Sequence, residues 1–286
     1  MTSAIMNERR QLINLAYRML GSLADAEDVV QETYARWYAM TREQQEAIET
    51  PAAWLTKVAS RICLDLLGSA RARRERYVGE WVPEPLPEAS AADPADRITL
   101  DESITMAFLV VLESMTPAER VAFILHDVFR YPFPEVAEIV GRTPAACRQL
   151  ATSARRRIAE IPATPREQRA NVIRDFKLAW RAKDINALIG LLDPNATVIG
   201  DGGGLATAAL HPIHGNSTIA HYMVDLLTKA PDAVFLEQTV NGQPGLVIQY
   251  DGIVAAVMAF DIADERIRHI WAVRNPEKLR PWTIEK

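Results

Sequence analysis

The chain has 286 residues, 49% of them hydrophobic, and a formal net charge of −5. This length fits two or three domains with ordinary cores. The acidic balance excludes a polycation, so any nucleic-acid contact must come from local basic patches. Two patches exist: RARRER at 71–76, and the arginines between Arg142 and Arg157. Cys63 and Cys147 lie far apart, on apolar helix faces and without metal spacing, and read as buried reduced thiols. No apolar run reaches transmembrane length and the N-terminus lacks a signal-peptide core. The expectation is a cytoplasmic protein with no membrane partner.

Residues 8–40 read as helical. Leu12, Leu15, Ala16 and Met19 form one stripe, and Gly21 stops it. Ser22 followed by Asp25 resembles a capping pair for the next helix. There Ala26, Val29, Val30, Thr33 and Trp37 face inward, while Asp28, Gln31 and Glu32 share the outer face at i, i+3 and i+4. An acidic, amide-bearing face suits either solvent or a basic partner. Residues 41–50 are polar and read as a loop. Pro51 starts a long helix that buries Trp54, Leu55, Val58, Ala59, Ile62 and Leu66. Lys57, Arg61 and Asp65 line its exposed side, and Arg71, Arg73, Arg74 and Arg76 follow. Residues 79–96, GEWVPEPLPEASAADPAD, have the prolines and acids of an extended linker. Trp81 and Leu86 are large apolar residues there, and they predict that the linker docks on something.

Helices resume from Asp96, with Ala107, Val110 and Val111 apolar. Thr116-Pro117-Ala118-Glu119 is a capping box with proline at the first helical position. Val121, Ala122, Leu125 and Phe129 then pack inward. Residues 134–158, PEVAEIVGRTPAACRQLATSARRRI, read as two short helices around a tight turn. Val136, Ala137 and Val140 give the first its apolar face, and Gly141 breaks it. Thr143-Pro144 is an N-cap with a first-turn proline for the second helix. On that helix Cys147, Leu150, Ala154 and Ile158 form the inner stripe. Arg148, Gln149, Thr152 and Ser153 lie largely opposite, and Arg155, Arg156 and Arg157 close the end. The pattern fits a helix-turn-helix whose second helix enters the major groove, and equally an amphipathic hairpin with a solvated basic face.

After a short linker at 161–165 the pattern changes class. Residues 166–192 form two helices carrying Phe176, Ala179, Trp180, Ile185, Leu188 and Leu192. Val198 and Ile199 begin a strand, and 215–229 is a helix around Ile219, Tyr222, Met223 and Leu226. Strands follow at 233–240, 245–250, 253–261 and 266–274. Asp251-Gly252 is a hairpin turn, and Ile267, Trp271 and Val273 lie on one side of the last strand. Helices first and then a curved antiparallel sheet indicate α+β. Asp201, His211, His214, His221, Asp251, Asp261 and His269 are the titratable candidates, and no two are spaced in a way that demands catalysis. His211 and His214 flank Pro212 and lack an evident third ligand, so no metal and no cofactor are expected. Gly202, Gly203 and Gly204 permit close backbone approach. They are followed by Leu205 rather than a phosphate-binding lysine, which favours docking over a phosphate cradle.

DAEDVVQETYARW at 25–37 resembles region 2 of the bacterial extracytoplasmic-function (ECF) sigma factors of the sigma-70 family. TPAACRQLATSARRR at 143–157, with the block around it, resembles their region 4. Ser153 and Cys147 stand where an arginine and a valine are common, and Leu66 and Gly68 where relatives often carry arginines. The C-terminal block resembles SnoaL-like members of the nuclear-transport-factor-2-like superfamily. WVPEPL at 81–86, DGGG at 201–204 and NPEKL at 275–279 match the sigma-J-like subgroup, in which the two are fused.

The resemblance implies a multidomain chain of two all-α sigma domains followed by an α+β cone-shaped sheet. Its parts would be region 2 at 1–78, a proline-rich linker at 79–100, region 4 at 101–160 and the SnoaL-like domain at 161–286. It implies an alternative sigma factor, not an enzyme, that binds core RNA polymerase through Asp28, Gln31, Glu32 and Trp37. Lys57, Arg61, Arg71, Arg73 and Arg74 would meet the −10 element and its melted strand. Arg142, Thr143, Arg148, Gln149, Thr152, Ser153, Arg155 and Arg156 would meet the double-stranded −35 element. Trp81, Leu86, Asp201, Gly202, Gly203, Gly204, Asn275, Pro276, Lys278 and Leu279 would form a regulatory contact between the C-terminal domain and the rest. The rivals are a small-molecule-sensing or polyketide-cyclase-like C-terminal module with an unknown ligand in its pocket, and a plain helix-turn-helix repressor.

Overall fold

The computed structural model describes residues 2–74, 77–88, 104–161 and 164–283. Contacts divide the chain into two compact units. Of the described residues, one holds 2–74 and 109–160; the other holds 77–88, 104–108, 161 and 164–283.

In the first unit, α1 (Thr2–Leu20) and α2 (Leu23–Tyr38) form a hairpin turned by Gly21 at φ 69°. Ser22 caps α2, its hydroxyl accepting from the Asp25 amide at 3.2 Å. Ala26, Val29, Val30 and Thr33 are buried as the spacing predicts, but Trp37 is only half-buried, edge-on to Trp54 at 5.3 Å. Residues 41–50 are not simply a loop: Arg42–Glu46 form α3, opened by a capping box in which Thr41 and Gln44 satisfy each other's backbone amides. Charged and amide side chains hid this single turn from a hydrophobic-period reading. In α4 (Pro51–Arg74), Leu55, Ala59, Ile62, Cys63 and Leu67 are buried. Leu67 takes the core position expected for Leu66, which is half-buried.

α5 (Met106–Glu113) precedes α6 (Pro117–Phe123), which carries the expected capping box: Glu119 N–H reaches Thr116 Oγ1 at 3.3 Å, and Thr116 N–H reaches Glu119 Oε2 at 2.9 Å. A π-helical turn at Ile124–Val128 follows. α7 (Phe133–Val140) ends at Gly141 with φ 70°, and Thr143 caps α8 (Pro144–Ile158) through the Ala146 amide at 3.2 Å. These two helices are the helix-turn-helix. Its inner faces differ from the expectation. α7 buries Val136, Ala137 and Ile139, and α8 buries Cys147, Ala151 and Ala154, while Val140, Leu150 and Ile158 are half-buried. Small residues at i, i+4 and i+7 let α8 sit close to its neighbours α6 and α7. The helices of the two expected sigma regions also pack together within this unit, α4 against α6 and α7. Arg120, 2% exposed, donates to the Met19 carbonyl at 2.7 Å and pairs with Glu113 at 2.6 Å.

The second unit is α+β. α9 (Arg166–Arg181), α10 (Ile185–Leu191) and α11 (Asn216–Lys229) cover one face of a sheet ordered β2-β1-β6-β5-β4-β3. The strands are β1 (Leu192–Asp201), β2 (Ile213–His214), β3 (Val234–Val240), β4 (Gln243–Tyr250), β5 (Ile253–Ala263) and β6 (Arg266–Val273). β1 pairs parallel with β6, and the other pairings are antiparallel. Asp251 (φ 50°) and Gly252 (φ 76°) make the expected tight hairpin. Phe176, Trp180, Phe235 and Phe260 stack edge to face in the core. One register expectation fails. Asp261 pairs with His269 but Ile262 pairs with Ile267, so Arg268 is an extra residue at a bulge. The bulge reverses the alternation, and Ile267 joins Ile270 in the helix-covered core while Trp271 and Val273 take the other face.

Candidate functional site

Asp28, Gln31 and Glu32 project from α2 into solvent. Glu32 is braced by Arg36 at 2.8 Å in an i,i+4 pair, and Trp37 lies at the end of the same helix. On α4, Lys57 pairs with Glu138 at 2.5 Å, and Arg61 donates to the Glu138 carbonyl at 3.1 Å. Two of the five residues expected at the −10 element, Lys57 and Arg61, are therefore engaged by α7. Arg71, Arg73 and Arg74 belong to the last turns of α4, and their side chains lie outside the described residues.

The side chains of α8 and the turn before it divide into two classes. Arg142, Thr143, Arg148, Gln149, Thr152 and Arg156 are exposed. Arg148 also lies over the Phe133 ring at 5.2 Å, and Thr143 doubles as the N-cap. Ser153 instead donates to Glu119 at 2.8 Å, and Arg155 forks onto Asp127 at 2.6 and 3.2 Å. Burial pushes the Glu119 carboxyl up, but the Thr116 and Ser153 hydrogen bonds and nearby Arg157 outweigh it, and the carboxyl ends below its usual range. Ser153 and Arg155 thus fasten α8 to the domain beneath it.

The third constellation lies in the second unit. Residues 77–88 form an extended strap on the C-terminal domain, with Val82 and Leu86 buried and Trp81 half-buried. Asp201, fully buried at the end of β1, is its hub. Asp201 Oδ1 accepts from Tyr77 Oη at 2.6 Å, and Oδ2 accepts from Val82 N–H at 2.9 Å and Lys278 Nζ at 2.6 Å. Lys278 Nζ also donates to the Val82 carbonyl at 2.5 Å and sits 4.1 Å over the Trp81 ring. Asn275 Nδ2 donates to Tyr77 Oη at 2.8 Å. Burial, and then the adjacent Asp201 carboxylate, push the Tyr77 phenol far above its ordinary range. Further along, Asn241 brackets Leu86, accepting its N–H at 3.2 Å and donating to its carbonyl at 2.9 Å, and Trp282 Nε1 donates to the Pro85 carbonyl at 2.8 Å.

The glycines fit this closeness. A Cβ at Gly203 would stand 2.3 Å from Asn275 Nδ2, and one at Gly204 would stand 3.2 Å from Val78 Cβ. A Cβ at Gly202 would collide with the Ala206 carbonyl at 2.1 Å, so that glycine serves the loop's own turn. The structure therefore gathers Trp81, Leu86, Asp201, Gly203, Gly204, Asn275 and Lys278 at one contact. Pro276 is exposed and shapes a turn; Leu279 is buried beside it. Tyr77, Asn241 and Trp282 were missed. Trp282, a large aromatic near the chain end, was the one readable signal among them.

A cavity of about 600 Å³ opens between α11 and the sheet. Trp180, Tyr222, Met223, Phe235, Ile248 and Met258 are among its walls, with Arg274 and Lys229 as its charged residues. No histidine and no carboxylate lines it: Asp201, His211, His214, His221, Asp251, Asp261 and His269 all lie elsewhere. Among the described residues no cluster of histidine, cysteine and carboxylates could hold a metal, and no helix is long and apolar enough to cross a membrane.

An acidic helix face, a helix-turn-helix and a strapped C-terminal domain define a two-part transcription factor of the sigma-70 type. The family described as Sigma-70 region 2 matches residues 4–73, and that described as Sigma-70, region 4 matches residues 105–158. The chain belongs to the extracytoplasmic-function RNA polymerase sigma factors, the alternative sigma factors of transcription initiation, and carries an α+β domain behind the two sigma regions. It is 36% identical over 286 residues to the ECF RNA polymerase sigma factor SigJ of Mycobacterium tuberculosis, covering 95% of this chain and 90% of that one. The probable ECF sigma factor SigI of the same organism is also 36% identical, over 97% of this chain and 94% of the relative. The crystal structure of Mycobacterium tuberculosis SigJ matches with a TM-score of 0.81 at 34% identity, over 98% of this chain and 99% of that chain. A plain repressor is thereby set aside.

Proposed function

We propose that the C-terminal domain is the built-in regulator of this sigma factor, and that it acts through the strap. One observation carries the reading: the segment between the two sigma regions in sequence is fastened to residues 201, 241, 275, 278 and 282 of the C-terminal domain. In this reading residues 1–78 form region 2 and 101–160 region 4. Asp28, Gln31, Glu32 and Trp37 dock on core RNA polymerase. Arg142, Thr143, Arg148, Gln149, Thr152 and Arg156 meet the −35 duplex, and Ser153 and Arg155 position them. Lys57 and Arg61, with Arg71, Arg73 and Arg74, meet the −10 element. The Lys57–Glu138 pair supports a closed, DNA-free arrangement of the first unit, since Lys57 and Arg61 must leave α7 to reach promoter phosphates. The cavity lining supports a binding module rather than a cyclase: it offers no carboxylate or imidazole for acid–base work.

Run-off transcription with core polymerase tests this. Deleting residues 166–286 is expected to change output from a cognate promoter. Gly203→Val, which drives a side chain into Asn275 and Tyr77, is expected to reproduce part of that change. Equal promoter output and equal core affinity of truncated and full chains would remove the regulatory role.

A further inference from the structure

The cavity's wall and the strap's anchor are built from adjoining residues: Gly200, Thr207 and Arg274 line the cavity, and Asp201, Gly203, Gly204 and Asn275 hold the strap. Arg274, one of the lining residues, donates to the Thr207 carbonyl and, at 3.5 Å, to the Ala255 carbonyl. Thr207 belongs to the loop that begins at Gly202, and that loop presses Gly203 on Tyr77 and Gly204 on Val78. Leu210, at its far end, packs on Gly79 of the strap. The backbone amides of Arg274 and Asn275 both donate to the Asp201 carbonyl, at 2.7 and 3.0 Å. Whatever moves Arg274 or the 202–210 loop therefore acts on the groups that hold residues 77–82.

The cavity's chemistry is one-sided. Its charged lining residues are both cations, Arg274 and Lys229, and the rest is mainly aromatic and aliphatic. Tyr222 stands in the same space, where Arg274 partly offsets the upward push of burial on its phenol. Tyr250, one of its walls, is an exposed aromatic. A cavity of this volume suits a small organic molecule. An apolar body matches the walls, and one negative charge matches Arg274 and Lys229. A cationic ligand would meet no counter-charge there.

We infer that this cavity binds an apolar monocarboxylate, whose head group competes with the Thr207 carbonyl for the Arg274 guanidinium and so loosens the 202–210 loop from the strap. An ionised carboxylate is a stronger, bidentate acceptor than a neutral carbonyl, so it wins the guanidinium. Because the loop has different contacts with and without the acid, occupancy shifts the strap's docking equilibrium. The inference names the signal for the regulation proposed above and rests on that reading for its biological meaning, though not for its binding chemistry.

The test uses the full chain and four probes: decanoate, 2-naphthoate, 1-decanol and decyltrimethylammonium. Titration calorimetry is expected to show one site for either carboxylate, at least about tenfold weaker binding of decanol, and none of the cation. The two acids separate an aliphatic from an aromatic ligand. Arg274→Met should bring decanoate down to the level of decanol, and Arg274→Lys should recover part of the loss. Ala272→Trp, which fills the cavity from β6, should abolish both and guards against an Arg274 variant that folds poorly. Saturating decanoate should speed hydrogen exchange at the Val82 amide. Equal affinity for decanoate and decanol, absence of carboxylate binding, or undiminished binding by a folded Ala272→Trp overturns the ligand assignment. Carboxylate binding with unchanged or slower Val82 exchange overturns the competition. Failure of the regulatory reading shows separately, as transcription indifferent to deletion of 166–286 while calorimetry still reports the site.

Discussion

Asp201→Asn tests the hub of the strap's attachment, because it keeps the side chain's shape while removing its charge and one of its two acceptor oxygens. In the native site Lys278 Nζ has a carboxylate at 2.6 Å and a carbonyl at 2.5 Å, and Asp201 is fully buried. With an amide at 201, the ammonium keeps the Val82 carbonyl and the Trp81 ring but loses its counter-ion. Removing one partner of a buried pair costs about 3–5 kcal/mol. Strap ordering itself opposes docking, at about 1–2 kcal/mol per residue, so a loss of that size falls on a small local balance. Hydrogen exchange at the Val82 and Leu86 amides, bonded to Asp201 and Asn241, should accelerate by roughly 10²- to 10³-fold, with the helices of the first unit unaffected. Adding Lys278→Met to Asp201→Asn should restore much of the protection, because a buried pair can be replaced by apolar groups at little cost. Unchanged Val82 exchange in Asp201→Asn, or a double variant no better than the single one, would refute the claim that this ion pair holds the strap.

Gln31→Ala with Glu32→Ala should weaken binding to core polymerase in a pull-down or titration while thermal unfolding shifts little, since both side chains are exposed and the Glu32–Arg36 pair is worth only about 0.3–0.5 kcal/mol. Arg148→Ala should lower discrimination between specific and scrambled −35 duplexes by about 1–3 kcal/mol. Arg156→Ala should weaken both duplexes alike and reduce the salt dependence of binding; equal losses on both duplexes for Arg148→Ala would remove its base-reading role. The Lys57 hydrogen bond and charge hold the exposed Glu138 carboxyl below its ordinary 4.5. The pair's contribution is therefore present above pH 4.5 and is lost as pH falls through Glu138's own lowered value. Cross-linking between α4 and α7 should fall in that acid window and with added salt, and Glu138→Gln should flatten the pH response.

Much of this was written in local patterns. The capping boxes and caps at Ser22, Thr116 and Thr143, the left-handed Gly141 and the Asp251-Gly252 hairpin are short-range chemistry, and all sit where the sequence puts them. What escaped depended on partners distant in the chain. Ser153 and Arg155 look like DNA-facing residues on a helical wheel, but Glu119 and Asp127 lie 34 and 28 positions away. The inner residues of α8 shifted to Ala151 because small side chains, which carry little hydrophobic signal, are what close helix packing requires. The bulge at Arg268 turned Trp271 away from Ile267, and a period-two reading has no means of seeing an inserted residue. Trp81 and Leu86 announced a docked linker. Its seat could not be read from spacing alone, because Tyr77 and Asn275 are 198 residues apart.

A regulator joined to its target by the chain behaves differently from one supplied as a separate protein. The strap leads into region 4 on one side and follows region 2 on the other, and the domain that seats it is the tail of the same polypeptide. A tethered partner is present at an effective concentration in the millimolar range for short linkers, whatever the cell's expression level. Under the regulation proposed above, one regulator would accompany each sigma unit, and neither dilution nor overproduction would change the ratio. Contacts as modest as those around Asp201 then suffice to keep the strap seated, and release must come from altering the seat itself. Once the alteration is withdrawn the strap would still be beside its site, and a factor regulated in this way would reset without new synthesis.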